Sequence, residues 1–527
     1  MEFLEKVLPR EYQKAILNVC VEKNCLVVLP TGLGKTLIAL MLTIERMKSF
    51  PGEKVLLLAP TRPLAEQHLR YFKENLPELF GEMQLFTGSV NAEKRKEIWQ
   101  TADIIFSTPQ CIANDVKKRL YNLREVCLLI EDEAHRCINN YDYRYVAQVY
   151  KEQAKNPRIL GMTASPGSET KKIREICNNL FIEAVELRTR ESDDVKTYLK
   201  ELETEKVMVD LPEEFLKIKN ALTRLFEEYI SELRGRKVFF GMPTKTELIK
   251  LQKSLFLRIA QGNRNFNYML SSSACAQAIK VQHAIELLET QTQSGFNKYI
   301  KELVRRASSK ESKGIVKLVS KPEFNYVLTK SNELLERDFE HPKVLELIGI
   351  VKEEKEKNED IKIIVFTQFR DTARFVSRKI NELSGLRSKV FVGQAKKTET
   401  EIDKKTKEKE ISGLSQKEQK QIINEFSSGE INVLCATSIG EEGLDIPEVN
   451  IVIFYEPVPS AIRTIQRGGR TARLINGKII MLITRKTRDE AYFYISKAKE
   501  KKMHSAISSI KDDFSKNTKA ETQEKLS

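Results

Sequence analysis

The chain has 527 residues, of which 41% are hydrophobic and 31% charged, and this composition excludes an intrinsically disordered protein. At about 150 residues per domain, the length predicts three or four folded units. The formal net charge of +14 favours a polyanionic partner without identifying one. No apolar run approaches the roughly 20 residues that cross a bilayer, and the N-terminal residues lack a secretory cleavage pattern, so we expect a cytoplasmic protein without membrane contact.

The cysteines and histidines point to no metal or disulfide framework. The eight cysteines are scattered, without a C-x-x-C pair, and fall largely in apolar segments. We therefore predict that they are reduced and buried. The five histidines are equally dispersed, so no zinc site is expected.

From residue 26 to residue 165, short β-rich apolar runs alternate with segments of helical length. The runs are residues 26–29, 55–58, 104–106, 127–130 and 159–162. Continuous apolar runs separated by helices are typical of a parallel sheet that is buried on both faces. The pattern predicts a doubly wound α/β domain.

A helical segment follows this domain. Apolar residues recur there at three- and four-residue steps, which predicts amphipathic helices. They are Phe215, Ile218, Leu222, Leu225, Tyr229 and Leu233, and later Ala278, Val281, Ile285 and Leu288. We place this insert at residues 211–337, which hold 22 basic and 13 acidic residues, or +9 of the net charge of +14.

The α/β pattern then returns. Its apolar runs are residues 363–366, 389–392, 433–436, 451–455 and 478–484. We predict a first α/β domain at 1–210, the insert at 211–337, a second α/β domain at 338–504 and a polar, frayed tail at 505–527. Residues 396–412 are rich in lysine, glutamate and threonine and are expected to form an exposed loop.

The first apolar run leads into a sequence with the chemistry of a phosphate-binding loop. Thr31, Gly32, Gly34, Lys35 and Thr36 stand between this strand and an apolar helix. Backbone N–H groups and the helix N-terminus would hold phosphate oxygens, Lys35 would reach the β- and γ-phosphates, and Thr36 would bind Mg²⁺. Leu29 stands where the strict motif has its first glycine.

A pair of carboxylates follows the strand at 127–130. Asp132 and Glu133 would lie at the carboxyl edge of the same sheet, where open α/β sheets bind their ligands. We predict that Asp132 holds Mg²⁺ and that Glu133 activates the water that attacks ATP.

These motifs resemble the DEAH-type signature of superfamily 2 helicases, and the resemblance extends over residues 8–490. The stretches that carry it are residues 10–13, 31–36, 59–62, 87–88, 107–110, 131–135, 163–165, 364–370, 436–445 and 466–473. It implies two RecA-like domains, here separated by the helical insert. It also implies ATP and Mg²⁺ as cofactors, with residues 163–165 coupling hydrolysis to domain movement.

The resemblance assigns further residues to the nucleotide. Arg10 and Gln13 would recognise adenine, and Asp445 would lie in a nucleotide-binding motif of the second domain. Gln466, Arg470 and Arg473 would act in catalysis. Arg470 and Arg473 are three residues apart on one helix face, and the family uses such arginines as fingers that reach the γ-phosphate.

A second set of residues would contact nucleic acid. In the family, hydroxyl and guanidinium groups at strand ends bind the sugar-phosphate backbone independently of sequence. The matching residues are Thr61, Arg62, Thr108, Thr367 and Thr437. We expect the insert to recognise branched DNA through Arg305, Arg306, Lys310 and Lys313; the alternative is that these are solvated helix faces.

The insert and the stretches at 161–167, 391–394, 413–419 and 441–447 resemble archaeal Hef and its eukaryotic counterpart FANCM. The resemblance implies an ATP-dependent DNA helicase or translocase acting on replication forks and Holliday-type junctions in DNA repair, associated with the nucleoid of a prokaryote. Hef-type proteins carry an XPF-like nuclease whose signature does not occur in the printed sequence, so we interpret the chain as the motor.

Two alternatives remain open. The first is a double-stranded-RNA-dependent ATPase of the RIG-I/Dicer helicase group, which shares the insert. The second is a binding scaffold with a vestigial nucleotide site. The residues Lys35, Asp132, Glu133, Gln466 and Arg470 are all intact, which disfavours the scaffold.

Overall fold

The computed structural model describes residues 7–199, 201–261, 265–393, 413–437, 446–460, 468, 471 and 476–524, with side chains as far as residue 514. It contains two parallel α/β domains and a helical bundle between them, which confirms the predicted fold class. The predicted loop at 396–412 lies outside the described residues.

The first domain is built on a parallel sheet with the strand order β3-β4-β2-β5-β6-β1-β7. Its strands are β1 (Cys25–Val28), β2 (Lys54–Leu58), β3 (Met83–Phe86), β4 (Ile104–Ser107), β5 (Val126–Asp132), β6 (Ile159–Thr163) and β7 (Ala184–Leu187). The central strands are buried along their whole length because helices cover both faces. Because the strands are parallel, their carboxyl ends all lie at one edge of the sheet, where the following loops meet.

Helices cover the two faces of this sheet. They are α1 (Glu11–Glu22), α2 (Lys35–Ser49), α3 (Arg62–Asn75), α4 (Ala92–Thr101), α5 (Pro109–Lys117), α6 (Asp142–Gln153), α7 (Thr170–Asn179) and α8 (Asp193–Lys196). Successive residues of β1 alternate between two apolar cores, with Leu26 in the core under α5 to α7 and Val27 in the core under α1 to α3.

The insert is a bundle of helices. Its helices are α9 (Glu213–Gly235), α10 (Lys245–Ala260), α11 (Phe266–Thr290), α12 (Gln293–Ser308), α13 (Lys313–Val319) and α14 (Pro322–Glu336). The apolar residues that predicted these helices, from Phe215 to Leu288, form its core. The three- and four-residue periodicity is thus confirmed.

The second domain contains a parallel sheet with the order β10-β11-β9-β12-β13-β8. The strands are β8 (Leu202–Val209), β9 (Ile363–Phe366), β10 (Ser388–Phe391), β11 (Val433–Ala436), β12 (Ile451–Phe454) and β13 (Gly477–Thr484), and the helices are α15 (Pro342–Lys357), α16 (Arg370–Asn381), α17 (Gln416–Ser428) and α18 (Arg488–Glu524).

The structure corrects the predicted boundary at residue 210. Strand β8 precedes the insert in the chain but pairs with β13 along eight residues, so it belongs to the second domain. Three of its eight residues, Glu203, Glu205 and Lys206, are charged, which suits a strand at the edge of a sheet and leaves no long continuous apolar run to predict it.

The predicted frayed tail at 505–527 is also wrong over its first part. Helix α18 begins on the second domain and continues to Glu524. Met503, Ala506, Ile507 and Ile510 are buried in the core of the first domain. The helix therefore connects the two α/β domains.

Buried polar contacts fix the insert to the second domain. Lys343 of α15 forms a buried ion pair with Asp489 of α18 and donates a hydrogen bond of 3.4 Å to Thr290 O at the end of α11. The Thr372 hydroxyl donates a hydrogen bond of 2.6 Å to Gln291 Oε1 at the end of α11. Such contacts are costly to break, so the insert and the second domain are held together.

All eight cysteines are buried and free, as the sequence predicted. Within the part of the chain that the structure describes, no helix combines the length and the apolar character needed to span a bilayer.

Candidate ATP site and strand-contacting residues

The phosphate loop joins β1 to α2 at the carboxyl edge of the first sheet. Gly34 caps α2 in the left-handed conformation, with φ of 76°, which favours glycine. Lys35 Nζ donates a hydrogen bond of 2.8 Å to Leu29 O, so the loop itself holds the lysine. The Thr31 hydroxyl is buried and has no hydrogen-bond partner among the described residues, as expected of a group that awaits a ligand.

Helix α1 supports this loop from outside. Gln13 Nε2 and the Tyr12 hydroxyl both donate hydrogen bonds to Leu33 O, at 3.1 and 2.8 Å. A Cβ atom at Gly34 would lie 2.3 Å from Gln13 Nε2, so only glycine leaves room for this contact. The predicted adenine residues Arg10 and Gln13 thus begin the helix that fixes the loop.

Asp132 ends β5 beside the loop. Its Oδ2 atom lies 2.8 Å from His68 Nε2 on α3. Burial alone would raise the pKa of Asp132, but the hydrogen bond from His68 and the charges of His68 and Lys35 outweigh burial and hold it below its ordinary value. Thr36 and His68 line one cavity of about 200 Å³. His68, the partner of Asp132, therefore lines the same cavity as Thr36.

Glu133 follows in a strained backbone conformation, with φ of 50°. His135 Nδ1 lies 3.2 Å from Glu133 Oε2 and 3.1 Å from Thr163 Oγ1. The same Thr163 oxygen accepts a hydrogen bond of 3.1 Å from Ser165 N–H. The histidine thus connects the predicted base to the motif at 163–165.

Sequence reasoning missed His68, Tyr143 and Glu131. The Tyr143 hydroxyl donates a hydrogen bond of 2.6 Å to Asp132 O and so fixes the end of β5. Glu131 is fully buried on the other sheet face, where burial raises its pKa well above the ordinary value despite the adjacent Cys137 thiol. No sequence signal marks His68 or Tyr143, because each lies on a separate helix, 64 and 11 residues from Asp132 in the chain.

The predicted strand-contacting residues of the first domain stand at helix starts. Thr61 caps α3 and Thr108 caps α5, next to the carboxyl ends of β2 and β4. Arg62 is exposed and forms an ion pair of 2.7 Å with Glu66. The Thr61 hydroxyl is buried without a hydrogen-bond partner among the described residues.

A buried ion pair holds the neighbouring loop of residues 87–88. Arg95 donates two hydrogen bonds to the Asp115 carboxylate and a third, of 3.3 Å, to Thr87 O. This bidentate geometry fixes the orientation of the guanidinium group and hence the loop. Sequence reasoning did not single out either member of this pair.

In the second domain, the two predicted threonines face inward. Thr367 is fully buried, and its hydroxyl donates a hydrogen bond of 3.0 Å to Phe369 O. Thr437 follows β11 and is 7% exposed. In this conformation the Thr367 side chain is not accessible to a strand, in contrast to its expected role.

The basic residues chosen on the insert are partly neutralised. Arg305 forms a two-bond ion pair with Glu302, and Arg306 lies 2.7 Å from Glu311. Lys310 and Lys313 are exposed beside them. Periodicity in the sequence did not reveal these pairs, which form within a helix and across its terminal turn.

The remaining predicted residues, Asp445, Gln466, Arg470 and Arg473, lie outside the described residues. The structure places Thr471, between the two predicted arginine fingers, in the second domain, where its hydroxyl donates to Val449 O.

Family descriptions match three parts of the chain. These are "DEAD/DEAH box helicase" at residues 10–173, "Putative ATP-dependent RNA helicase, helical bundle" at 214–336 and "Helicase conserved C-terminal domain" at 342–475. The crystal structure of the Pyrococcus furiosus Hef helicase domain is 41% identical, with a TM-score of 0.71, and the match covers 93% of this chain and 98% of that one. The chain belongs to the Hef/FANCM family of superfamily 2 helicases.

Curated relatives agree with this family. A putative ATP-dependent RNA helicase of Methanocaldococcus jannaschii is 40% identical over 94% of this Hef/FANCM-type chain. A putative ATP-dependent DNA helicase of Schizosaccharomyces pombe, fml2, and the Fanconi anemia group M protein homolog of Mus musculus are each 31% identical, over 92% and 95% of the chain. The chain spans 60%, 62% and 26% of these three relatives.

Proposed function

We propose that the chain is an ATP-hydrolysing motor that moves along DNA and acts on branched substrates in DNA repair. The observation that carries the proposal is the convergence of Lys35, Thr36, Asp132 and Glu133 at one edge of the first sheet. ATP hydrolysis at this edge would move the second domain, which α18 connects to the first.

Different residues of the first domain bind ATP and promote its hydrolysis. The N-terminus of α2 and Lys35 bind phosphate oxygens, while Glu133 accepts a proton from the attacking water. The contact with His135 orients the Glu133 carboxylate. Arg470 and Arg473, by resemblance to the family, would stabilise charge on the transferring phosphoryl group.

The donor set fits Mg²⁺ bound together with ATP. Asp132 would supply an ionised carboxylate and Thr36 a hydroxyl to the ion, and both are oxygen ligands of the kind that Mg²⁺ prefers. When bound, the ion offsets the negative charge of the phosphates. His68 keeps Asp132 ionised and oriented toward this position.

The substrate is proposed from the relatives and from the insert. Relatives named ATP-dependent DNA helicase occur in Schizosaccharomyces pombe and Drosophila melanogaster, and the Hef helicase domain shares the whole architecture. Thr61, Arg62 and Thr108 contact one strand through its phosphates, which cannot distinguish a fork from a single strand. The insert, fixed to the second domain, supplies recognition of the branch through Lys310 and Lys313.

RNA is the second candidate substrate. The Methanocaldococcus jannaschii relative and the family description of the helical bundle both carry the word RNA in their names. A double-stranded-RNA-dependent ATPase would use the same nucleotide site, so the geometry of that site does not distinguish RNA from DNA. The nucleic acid that stimulates hydrolysis decides between the two.

We place the protein in the cytoplasm with the nucleoid and propose a fused or associated nuclease as its partner.

One panel of ATPase measurements tests the proposal. The probes are single-stranded, duplex, forked and four-way DNA and double-stranded RNA, each at equal nucleotide concentration. Forked and four-way DNA should raise turnover more than single-stranded DNA or RNA does. Stronger stimulation by double-stranded RNA would replace the DNA proposal by the RNA one, and equal low turnover with every probe would contradict a nucleic-acid motor.

A further inference from the structure

Glu66 lies between two cations that belong to different domains. Its Oε1 atom is 2.7 Å from Arg62 Nε on the same helix, and its Oε2 atom is 3.2 Å from Lys420 Nζ on α17 of the second domain. The side chains of Arg62 and Lys420 are 45% and 62% exposed, whereas that of Glu66 is 20% exposed. The carboxylate thus connects the two domains at a surface open to solvent.

We propose that Arg62 and Lys420 form a binding site for one backbone phosphate of the tracked strand, and that Glu66 fills this site when no strand is bound. The inference deepens the proposed function, since it rests on a strand that passes Arg62. It adds Lys420 as a strand contact in the second domain and makes Glu66 a competitor of the phosphate.

The chemistry of the three groups supports a phosphate as the ligand. A carboxylate and a phosphodiester are both anions whose two oxygens accept hydrogen bonds from an arginine and a lysine together. Hydrogen bonds from Arg62 and Lys420 outweigh burial and hold the pKa of Glu66 below its ordinary value, so the carboxylate is ionised at neutral pH. It therefore mimics the charge of the diester.

The surroundings point to the same ligand. Arg62 is the first residue of α3, and the N-terminus of a helix favours anions. The buried Thr61 hydroxyl next to it has no hydrogen-bond partner among the described residues. A phosphate that replaced Glu66 would gain a donor that the carboxylate leaves unused.

This arrangement has a consequence for strand binding. Each phosphate that enters must displace Glu66 from both cations, and Glu66 then repels it. The affinity for a strand is consequently lower than the cations alone would give. Because Lys420 moves with the second domain, the site also changes whenever the two domains separate.

Affinity for an oligothymidylate, measured with the full chain at several salt concentrations, tests the proposal. Glu66→Gln should bind the oligonucleotide about two- to tenfold more tightly, since two exposed ion pairs no longer compete. Lys420→Gln should bind more weakly and reduce the slope of log K against log salt by about 0.7, the value for one phosphate contact on a single strand. In the Lys420→Gln background, the gain from Glu66→Gln should shrink.

Lys417→Gln is the matched control, because Lys417 is exposed on the same helix and the substitution removes the same charge. If Lys420→Gln and Lys417→Gln change the salt slope equally, or if Glu66→Gln binds no more tightly than the parent chain, the proposal is wrong. An oligouridylate of equal length serves as a second probe. These measurements therefore test the site at Glu66 whether branched DNA or RNA is the preferred substrate.

Discussion

The Ser165 hydroxyl lies 2.8 Å from the Met503 sulfur, so the motif at 163–165 of the first domain contacts a helix that begins on the second. Ser165 N–H also donates to Thr163 Oγ1, which lies 3.1 Å from His135 Nδ1. A continuous series of contacts therefore leads from Glu133 to α18. We infer that α18 would respond to a change at the proposed γ-phosphate site.

Shortening an apolar side chain of α18 should loosen its contact with the first domain. Ile507 is fully buried there, and Ile507→Ala should lower the free energy of unfolding by about 2–5 kcal/mol. Hydrogen exchange of residues 503–510 should accelerate relative to the parent chain. Lys501→Ala, at an exposed position of the same helix, should change neither quantity, and unchanged exchange in Ile507→Ala would contradict the docking.

Lys35→Ala and Glu133→Gln should impair ATP hydrolysis in different ways. Lys35→Ala removes a phosphate contact and should weaken ATP binding, whereas Glu133→Gln should bind ATP and scarcely turn it over. Equilibrium binding and steady-state turnover separate the two. Glu131→Gln is the control, because Glu131 is buried, burial raises its pKa, and it lies on the face of β5 opposite to Asp132. Turnover in Glu133→Gln equal to that in Glu131→Gln would rule out Glu133 as the base.

Arg470 and Arg473 should affect turnover far more than nucleotide affinity. A finger acts on charge that develops as the phosphoryl group transfers, so replacing either arginine by alanine should lower kcat by about 10³-fold. DNA-stimulated ATPase and nucleotide binding are the measurements. Normal hydrolysis in Arg470→Ala would mean that the two domains do not close in the way proposed.

The stability of the chain should depend on pH through Glu286, a buried carboxylate of the insert that also lies 3.4 Å from Arg488 of the second domain. Burial opposes its ionisation, but hydrogen bonds from His283 and Lys245 and the charge of Arg488 lower its pKa to about 2. Because this pKa lies below the ordinary 4.5, the ionised Glu286 carboxylate stabilises the folded chain. This stabilisation is complete above about pH 4.5 and is lost as the pH falls toward 2. Glu286→Gln should therefore lower the free energy of unfolding by about 3 kcal/mol at pH 7 and by much less at pH 3.

Urea denaturation at both pH values measures this difference. The matched control is Glu247→Gln, an exposed acid on α10 that pairs with Lys250 only within its own helix. It should cost less than about 1 kcal/mol at either pH. An equal cost for both variants at pH 7 would show that the buried contacts of Glu286 stabilise the chain no more than an exposed ion pair does.

The structure sharpens the prediction for the insert. Because Arg305 and Arg306 are paired with glutamates, the exposed Lys310 and Lys313 should dominate any contact with duplex phosphates. Replacing all four by alanine should make the salt dependence of fork binding shallower and remove fork preference, with single-strand-stimulated ATPase intact. Lys310→Ala with Lys313→Ala should reproduce most of the effect, and unchanged fork binding in the fourfold variant would exclude this surface.

Local sequence was sufficient for the parts of the molecule whose signal is local. Buried parallel strands need continuous apolar runs, and the phosphate loop needs its glycines and lysine in order, so β1, β5 and the positions of Lys35 and Asp132 could be read directly. The helices of the insert were equally visible because their apolar faces repeat every three or four residues.

Tertiary structure decided what depends on distant segments of the chain. Strand β8 crosses to the second sheet because its backbone groups pair with β13 rather than with its neighbours in sequence. His68 reaches Asp132 across 64 residues, and Met503 reaches Ser165 across 338. The sequence by itself therefore determined which chemical groups the protein has and on which elements they stand. Only the packing of those elements determined which groups touch, because hydrogen bonds and ion pairs depend on distances that no local pattern encodes.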